Sequence, residues 1–251
     1  MNLPKDYISY SQIRTYQTCP RKYYYAYIKE IEVPVNDKIY LGLIFHSVLE
    51  YYFKEKIAGG EPGLQILLDY LKDGFQKGQE EKDVVWTTPA GETLKRGISF
   101  TRHFLKEIAP EIKPMMVEKE LEVPLPDIDV KLKGILDLVE TDFTISDFKT
   151  TTTKWSKSRI KASYLQMQIY RYLFERSFGN VTKGLKFRII YSKTSSNIKN
   201  QEISVQTSDL DSSKMLDIIT YVVENIQKGS FYKNEDYACG FCEYRDLCLS
   251  S

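Results

Sequence analysis

Two extended runs, Lys131 to Glu140 and Phe143 to Thr150, flank the turn formers Thr141 and Asp142. The first run is apolar, β-branched and alternating, and the second resumes the pattern. This predicts an antiparallel hairpin. Nothing else in the chain constrains the fold as tightly, because the hairpin carries Asp137, Asp147 and Lys149 among apolar neighbours. A three-residue loop at Thr141, Asp142 and Phe143 sets Asp137 opposite Asp147, and cross-strand partners project from one face. Period-two alternation places Lys149 on that face as well. A two-residue turn would pair Asp137 with Ser146 and spoil the arrangement, so the expectation requires the longer loop or a bulge.

An isolated D-x-K is more often a cross-strand ion pair on a wet face. Here Ile135, Leu136, Leu138, Val139, Ile145 and Phe148 surround the two acids. Like charges side by side are unfavourable without a cation between them. Mg²⁺ and Mn²⁺ take carboxylate oxygens and activate water for attack on a phosphodiester. Asp137 and Asp147 are therefore expected metal ligands. Lys149 is a fixed cation that orients the water or neutralises developing charge. Glu118 or Glu120, which alternate onto one face of the preceding strand Met116 to Val123, adds a further acidic ligand; the sequence does not choose between them.

Gly134-x-x-Asp137 followed by Asp147-x-Lys149-Thr150 resembles the core of PD-(D/E)xK nucleases, particularly the RecB-type branch. Gly42 to His46 looks like that branch's G-x-x-x-H helix motif, and the resemblance implies His46 as a metal ligand. Gln166 to Tyr170 looks like its Q-x-x-x-Y motif, which implies Gln166 and Tyr170 beside the active site in contact with DNA. Residues at i and i+4 share a helix face, so this pair can point at one target. Gln168 and Tyr172 fit the same spacing. Alone, His46 on an amphipathic helix reads as a core or surface histidine; order and spacing across the chain raise it.

Four cysteines occur: Cys19, Cys239, Cys242 and Cys248. A C-x₂-C pair with a third cysteine close behind is metal-site spacing. The start of the chain shows no signal-peptide pattern, so a cytoplasmic, reducing location is expected. One lone cysteine and a distant C-x₂-C-x₅-C resemble the iron–sulfur staple of AddB-type nucleases and CRISPR-associated adaptation exonucleases, and imply a [4Fe–4S] cluster clasping the two ends, with Zn²⁺ as the alternative.

The chain has 251 residues, 42% of them hydrophobic, and a net charge of +1. That suits one large domain, with no apolar run of membrane-spanning length. A protein of this balance carries no global basic signature for nucleic acid, so the positive charge must be local. Lys149, Lys154, Lys157, Arg159 and Lys161 supply it, with Trp155 among them, and such a segment suits single-strand binding by phosphate contact and stacking. Arg14, Arg21, Lys22 and the tyrosines 23, 24, 25 and 27 offer a second patch, with core tyrosines as an equal alternative.

Helix signals cover a short helix capped by Ser11, one starting at Pro20, and Tyr40 to Ala58, Pro62 to Lys82 and Glu92 to Ile108. Three strands follow, then the Gln166 helix up to Gly179, a strand pair at Gly184 to Ser192 and Gln201 to Gln206, and a helix from Asp209 to Gln227. The expected fold is α/β: a restriction-endonuclease-like core with a central mixed sheet flanked by helices. The helices from Pro62 to Ile108 read as an insertion forming a cap or wall. One nuclease domain is expected, with an N-terminal segment 1–39, a helical part 40–115, the catalytic sheet 116–206 and a C-terminal part 207–251. The implied activity is a Mg²⁺/Mn²⁺-dependent deoxyribonuclease, a single-strand exonuclease or DNA-end-processing enzyme in recombination and repair. Alternatives are a spacer-acquisition nuclease working in a complex and a non-cleaving DNA-end subunit. No P-loop occurs, so a helicase or integrase partner would act in trans.

Overall fold

The protein is described by a computed structural model covering residues 3–250. The hairpin forms as expected: β5 (Lys131–Glu140) and β6 (Thr144–Thr151) are joined by Thr141, Asp142 and Phe143. Phe143 adopts a left-handed φ of 65° and its N–H donates to Glu140 O at 2.9 Å. A left-handed third residue is what closes a three-residue hairpin loop. Leu138 faces Ser146 and Val139 faces Ile145. One further step along that register brings Asp137 to Asp147.

Strand β4 (Pro114–Pro124) runs antiparallel along the whole of β5. The other edge of β5 is shared. Short β1 (Tyr7–Ser9) pairs in parallel with Lys131 to Lys133, whereas β6 pairs only at Leu138 and Val139. Between them, Gly134 to Asp137 borders a gap. Strand β7 (Gly184–Tyr191) lies parallel to β6, and β8 (Lys199–Ser204) antiparallel to β7, completing a mixed six-stranded sheet. A two-stranded ribbon joins β2 (Val35–Asn36) to β3 (Val84–Val85).

Helices cover both faces. The remaining elements are α1 (Tyr10–Thr18), α2 (Pro20–Tyr23), α3 (Asp37–Ile57), α4 (Leu64–Glu81), α5 (Ala90–Glu107), α6 (Lys157–Ala162), α7 (Tyr164–Phe178), α8 (Ser212–Gln227) and α9 (Arg245–Leu249). On one face, Met167, Ile169 and Leu173 of α7 and Ile219 and Val223 of α8 pack with Val139, Ile145 and Phe187. On the other, Phe45 and Phe53 of α3 pack with Leu138, Phe148 and Ile190. Leu67 and Leu71 of α4 and Phe100 and Phe104 of α5 belong to this second cluster. The segment expected to form a wall over the core is therefore a layer of the core itself.

Caps explain where the helices begin. Ser9, rather than Ser11, caps α1 by accepting from Gln12 N. Asn36 Oδ1 accepts from Lys38 N and Ile39 N, starting α3 three residues before the expected Tyr40. The two ends of the chain meet through aromatic packing and hydrogen bonds. Tyr24 packs on Phe231 and Tyr25 on Tyr244, Arg21 N donates to Tyr232 O, and Asn234 Nδ2 donates to Thr18 O. Tyr23 and Tyr25 are buried, so part of the expected second patch is core.

Candidate metal centre and nucleic-acid cleft

Asp137 stands where β5 and β6 separate. Its Oδ2 accepts a hydrogen bond from Phe148 N at 2.8 Å, replacing the carbonyl that a continuing ladder would supply. Across from it, Asp147 is completely buried. Its Oδ1 accepts from Gln166 Nε2 at 2.7 Å and from Lys149 Nζ at 3.0 Å. Its Oδ2 lies 2.9 Å from the same ammonium but makes no hydrogen bond. Gln166 Nε2 also donates to the Tyr170 hydroxyl oxygen at 3.0 Å. Gly134 lets α7 approach this closely: a Cβ there would meet Leu173 Cδ1 at 2.6 Å.

His46 arrives from the opposite layer. Its Nε2 lies 3.0 Å from Phe148 O. A carbonyl only accepts, so Nε2 carries the proton and Nδ1 faces the acids. Nδ1 is 3.7 Å from both Asp137 Oδ2 and Glu118 Oε1. His46, Glu118 and Asp137 bring one ligand atom each to within 4.8 Å of one another, the one such group among the described residues.

The structure chooses Glu118 over Glu120. Val117 faces Leu138 and Lys119 faces Leu136, so Glu118 stands across from Asp137. Its φ of 44° is left-handed and breaks the alternation of β4. Val117 packs with the α3 layer, whereas Leu121 and Val123 pack with the α7 layer. Glu120 instead pairs with Lys133 at 2.8 Å. The expected ligand trio of His46, Asp137 and Asp147 is thus altered in geometry: Glu118 joins the first two, and Asp147 is engaged by Lys149 and Gln166.

The electrostatics are those of crowded acids. Burial pushes Asp147 up to about 6 against the pull of Lys149, and Asp137 adds to the rise. Burial raises Asp137 too, against His46 and Lys149. For His46, burial is outweighed by Asp137 and Glu118, which lift it to about 9. Lys149 is likewise raised: burial opposes its charge, but Asp147 and Asp137 favour it. The Asp147 oxygen left without a hydrogen bond and the facing carboxylates of Glu118 and Asp137 fit a divalent cation, which would relieve this repulsion.

Lys154, Lys157, Arg159 and Lys161 are exposed on the loop and helix α6 that follow β6. Trp155 is only 5% exposed, held between Phe187 and the Arg159 guanidinium, which lies 4.6 Å from its ring centroid. The expected stacking role for Trp155 is therefore corrected: it is a seat for Arg159. Sequence reasoning also missed Phe148, whose contribution is a main-chain carbonyl that no side-chain pattern reveals.

None of the four cysteines forms a disulfide. All four line one cavity of about 650 Å³ together with Arg21, Lys22 and Arg245. They do not converge tightly, since no three thiols among the described residues come within 4.8 Å of one another. A tetrahedral zinc site needs sulfurs ~3.8 Å apart. The 3₁₀ turn Tyr237–Phe241 and α9 hold the C-terminal thiols on separate turns.

The sequence model of the PD-(D/E)XK nuclease superfamily matches residues 7–249. Among solved structures, a protein described as a candidate exonuclease from Eubacterium rectale is similar, with a TM-score of 0.65 and 15% identity over 95% of this chain and 88% of that one. At that identity the likeness shows the fold. A protein named SSO0001 aligns with a TM-score of 0.38 and 16% identity over 87% of this chain and 86% of its own. No curated protein matches. Among the described residues no helix is long and apolar enough to cross a membrane.

Proposed function

Because the chain belongs to the PD-(D/E)XK nuclease superfamily, we propose that it is a divalent-metal-dependent deoxyribonuclease, an exonuclease acting on single strands and frayed ends. The observation that carries this reading is the meeting of His46, Glu118 and Asp137 beside the Asp147–Lys149 pair. His46, Glu118 and Asp137 would hold Mg²⁺ or Mn²⁺, with Asp147 as a further carboxylate. A bound ion of this kind supplies Lewis acidity to a phosphate oxygen and lowers the pKa of water.

The chain's own groups do the rest. Lys149, held by Asp147, presents a fixed positive charge where charge builds on the phosphate oxygens. Gln166 holds Asp147 from α7 and is itself tied to Tyr170, so the acid keeps one orientation. Phe148 O fixes the His46 tautomer that leaves Nδ1 free to ligate. The exposed cations of the α6 region receive the phosphates of the strand leaving the site. Digestion of end-labelled single-stranded DNA with Mg²⁺ or Mn²⁺ tests the reading. Asp137→Ala and Lys149→Ala proteins that fold normally yet cut as fast as the parent would overturn it.

The same proposal places a [4Fe–4S] cluster in the cysteine cavity, with Cys19, Cys239, Cys242 and Cys248 as thiolate ligands. Its support is that all four thiols line the same cavity. Since aromatic packing already joins the ends, the cluster would reinforce that junction. Anaerobic purification gives a brown protein absorbing near ~400 nm if the cluster is present. A colourless protein with stoichiometric zinc removes it.

A further inference from the structure

Helix α3 carries a nearly straight line of residues seven apart, Ile39, His46 and Phe53, because seven residues make almost two turns. Its far end is buried, with Phe53 packed on Phe148 at 5.8 Å between ring centroids. Its middle, His46, reaches Phe148 O and the acids. Beyond His46 the helix continues past the next part of β6, where the Gly42 backbone lies against Thr150. There the line emerges. Ile39 is 56% exposed and Leu43, one turn along the same side, 49%. Most of the other apolar residues of α3 are buried or packed on the core, so this pair departs from the helix's own pattern.

Resting on the nuclease reading, we infer that Ile39 and Leu43 form an apolar ridge that receives the unpaired bases of the strand being cut. Leu43 and Ile39 stand about 4.5 and 10.5 Å along the helix axis from His46. At the ~3.4 Å per nucleotide of a stacked strand about three nucleotides cover the longer distance, and an unstacked strand needs fewer. The ridge also lies toward the end of β6 from which the segment bearing Lys154, Lys157, Arg159 and Lys161 departs. A strand running from the acidic centre to those cations takes its phosphates along the basic side and its bases against α3. Aliphatic side chains against bases serve as wedges where stacking is broken, so the ridge selects unpaired strands and ends over intact duplex.

Binding, separated from cleavage, tests this. Parent and an Ile39→Ala/Leu43→Ala double variant are titrated in Ca²⁺ with a fluorescent single strand and with an otherwise identical strand of abasic sites. The expected result is a five- to thirtyfold affinity loss, roughly that of one or two lost apolar contacts, on the normal strand alone, with unchanged binding to the abasic strand. Equal loss on both strands, or no loss on either, overturns the inference. A parent that binds single strands but never cuts sinks the nuclease reading while the base contact stands or falls on the titration. A parent that binds neither strand overturns both. Light scattering that shows a dimeric parent and a monomeric variant makes the ridge a contact between copies and also overturns it.

Discussion

Asp137 Oδ2 receives the Phe148 N–H at 2.8 Å, while Phe148 O, on the same peptide chain position, faces His46 Nε2 at 3.0 Å. One residue's main chain thus orients two side chains delivered by different layers. Both contacts exist because β6 parts from β5 just here, leaving Phe148 free of the β5 ladder.

Removing either charge at this junction stops cleavage. Asp137→Ala and Lys149→Ala each lower the single-turnover rate with Mn²⁺ by at least about 10³-fold, the scale of losing preorganised charge stabilisation. Circular dichroism of both variants matches the parent. Calorimetry separates the two: Asp137→Ala loses Mn²⁺ affinity, whereas Lys149→Ala largely keeps it.

The metal-free protein is expected to lose stability as pH rises. Asp147 takes its proton near 3.8 when unfolded and about 6 when folded, so between those values the native state holds the extra proton. His46, at 6.5 unfolded and about 9 folded, acts in the same direction in the next window. By linkage, stability falls wherever the native state binds more protons. Thermal melts in a chelator therefore drop from pH 4 to pH 9. Saturating Mn²⁺ reverses the trend, since the cation favours the deprotonated forms. Asp147→Asn flattens the lower window of the chelator series.

Glu118 separates backbone strain from ligation. At a φ of 44°, a non-glycine residue is strained by about 1 kcal/mol. Glu118→Gly consequently raises the melting temperature of the metal-free protein while weakening Mn²⁺ binding. Glu118→Gln weakens binding without the gain. Equal melting temperatures for the two variants would show that the left-handed residue in β4 carries no strain.

Gly134→Ala places a methyl 2.6 Å from Cδ1 of the fully buried Leu173. Overpacking of this kind costs about 1–3 kcal/mol. Chemical denaturation should show that loss, and a double-mutant cycle with Leu173→Ala should show favourable coupling, because the shorter side chain vacates the space.

Much of this was legible in the residues. Turn chemistry marked Thr141 and Asp142 and so the hairpin, but left a two- or three-residue loop open; Phe143 joins the loop, and the register of Asp137 with Asp147 follows from that. Gln166 and Tyr170 share a helix face as their spacing required. What escaped was non-local. A left-handed residue inside β4 has no signal in Glu118 or its neighbours, so alternation wrongly kept Glu118 and Glu120 together. Trp155 looked like an exposed platform among lysines, yet Phe187, from a strand far along the chain, buries it. Strand β1 is three residues long, too short to announce itself, and its pairing exists only because β6 leaves room beside β5.

The gap along β5 also bears on biosynthesis. Because α3, β4, β5, β6 and α7 must all be in place before His46, Glu118, Asp137, Asp147 and Gln166 meet, a chain translated only as far as β6 cannot assemble this centre. Without α7 there is no Gln166 to hold Asp147 in its orientation.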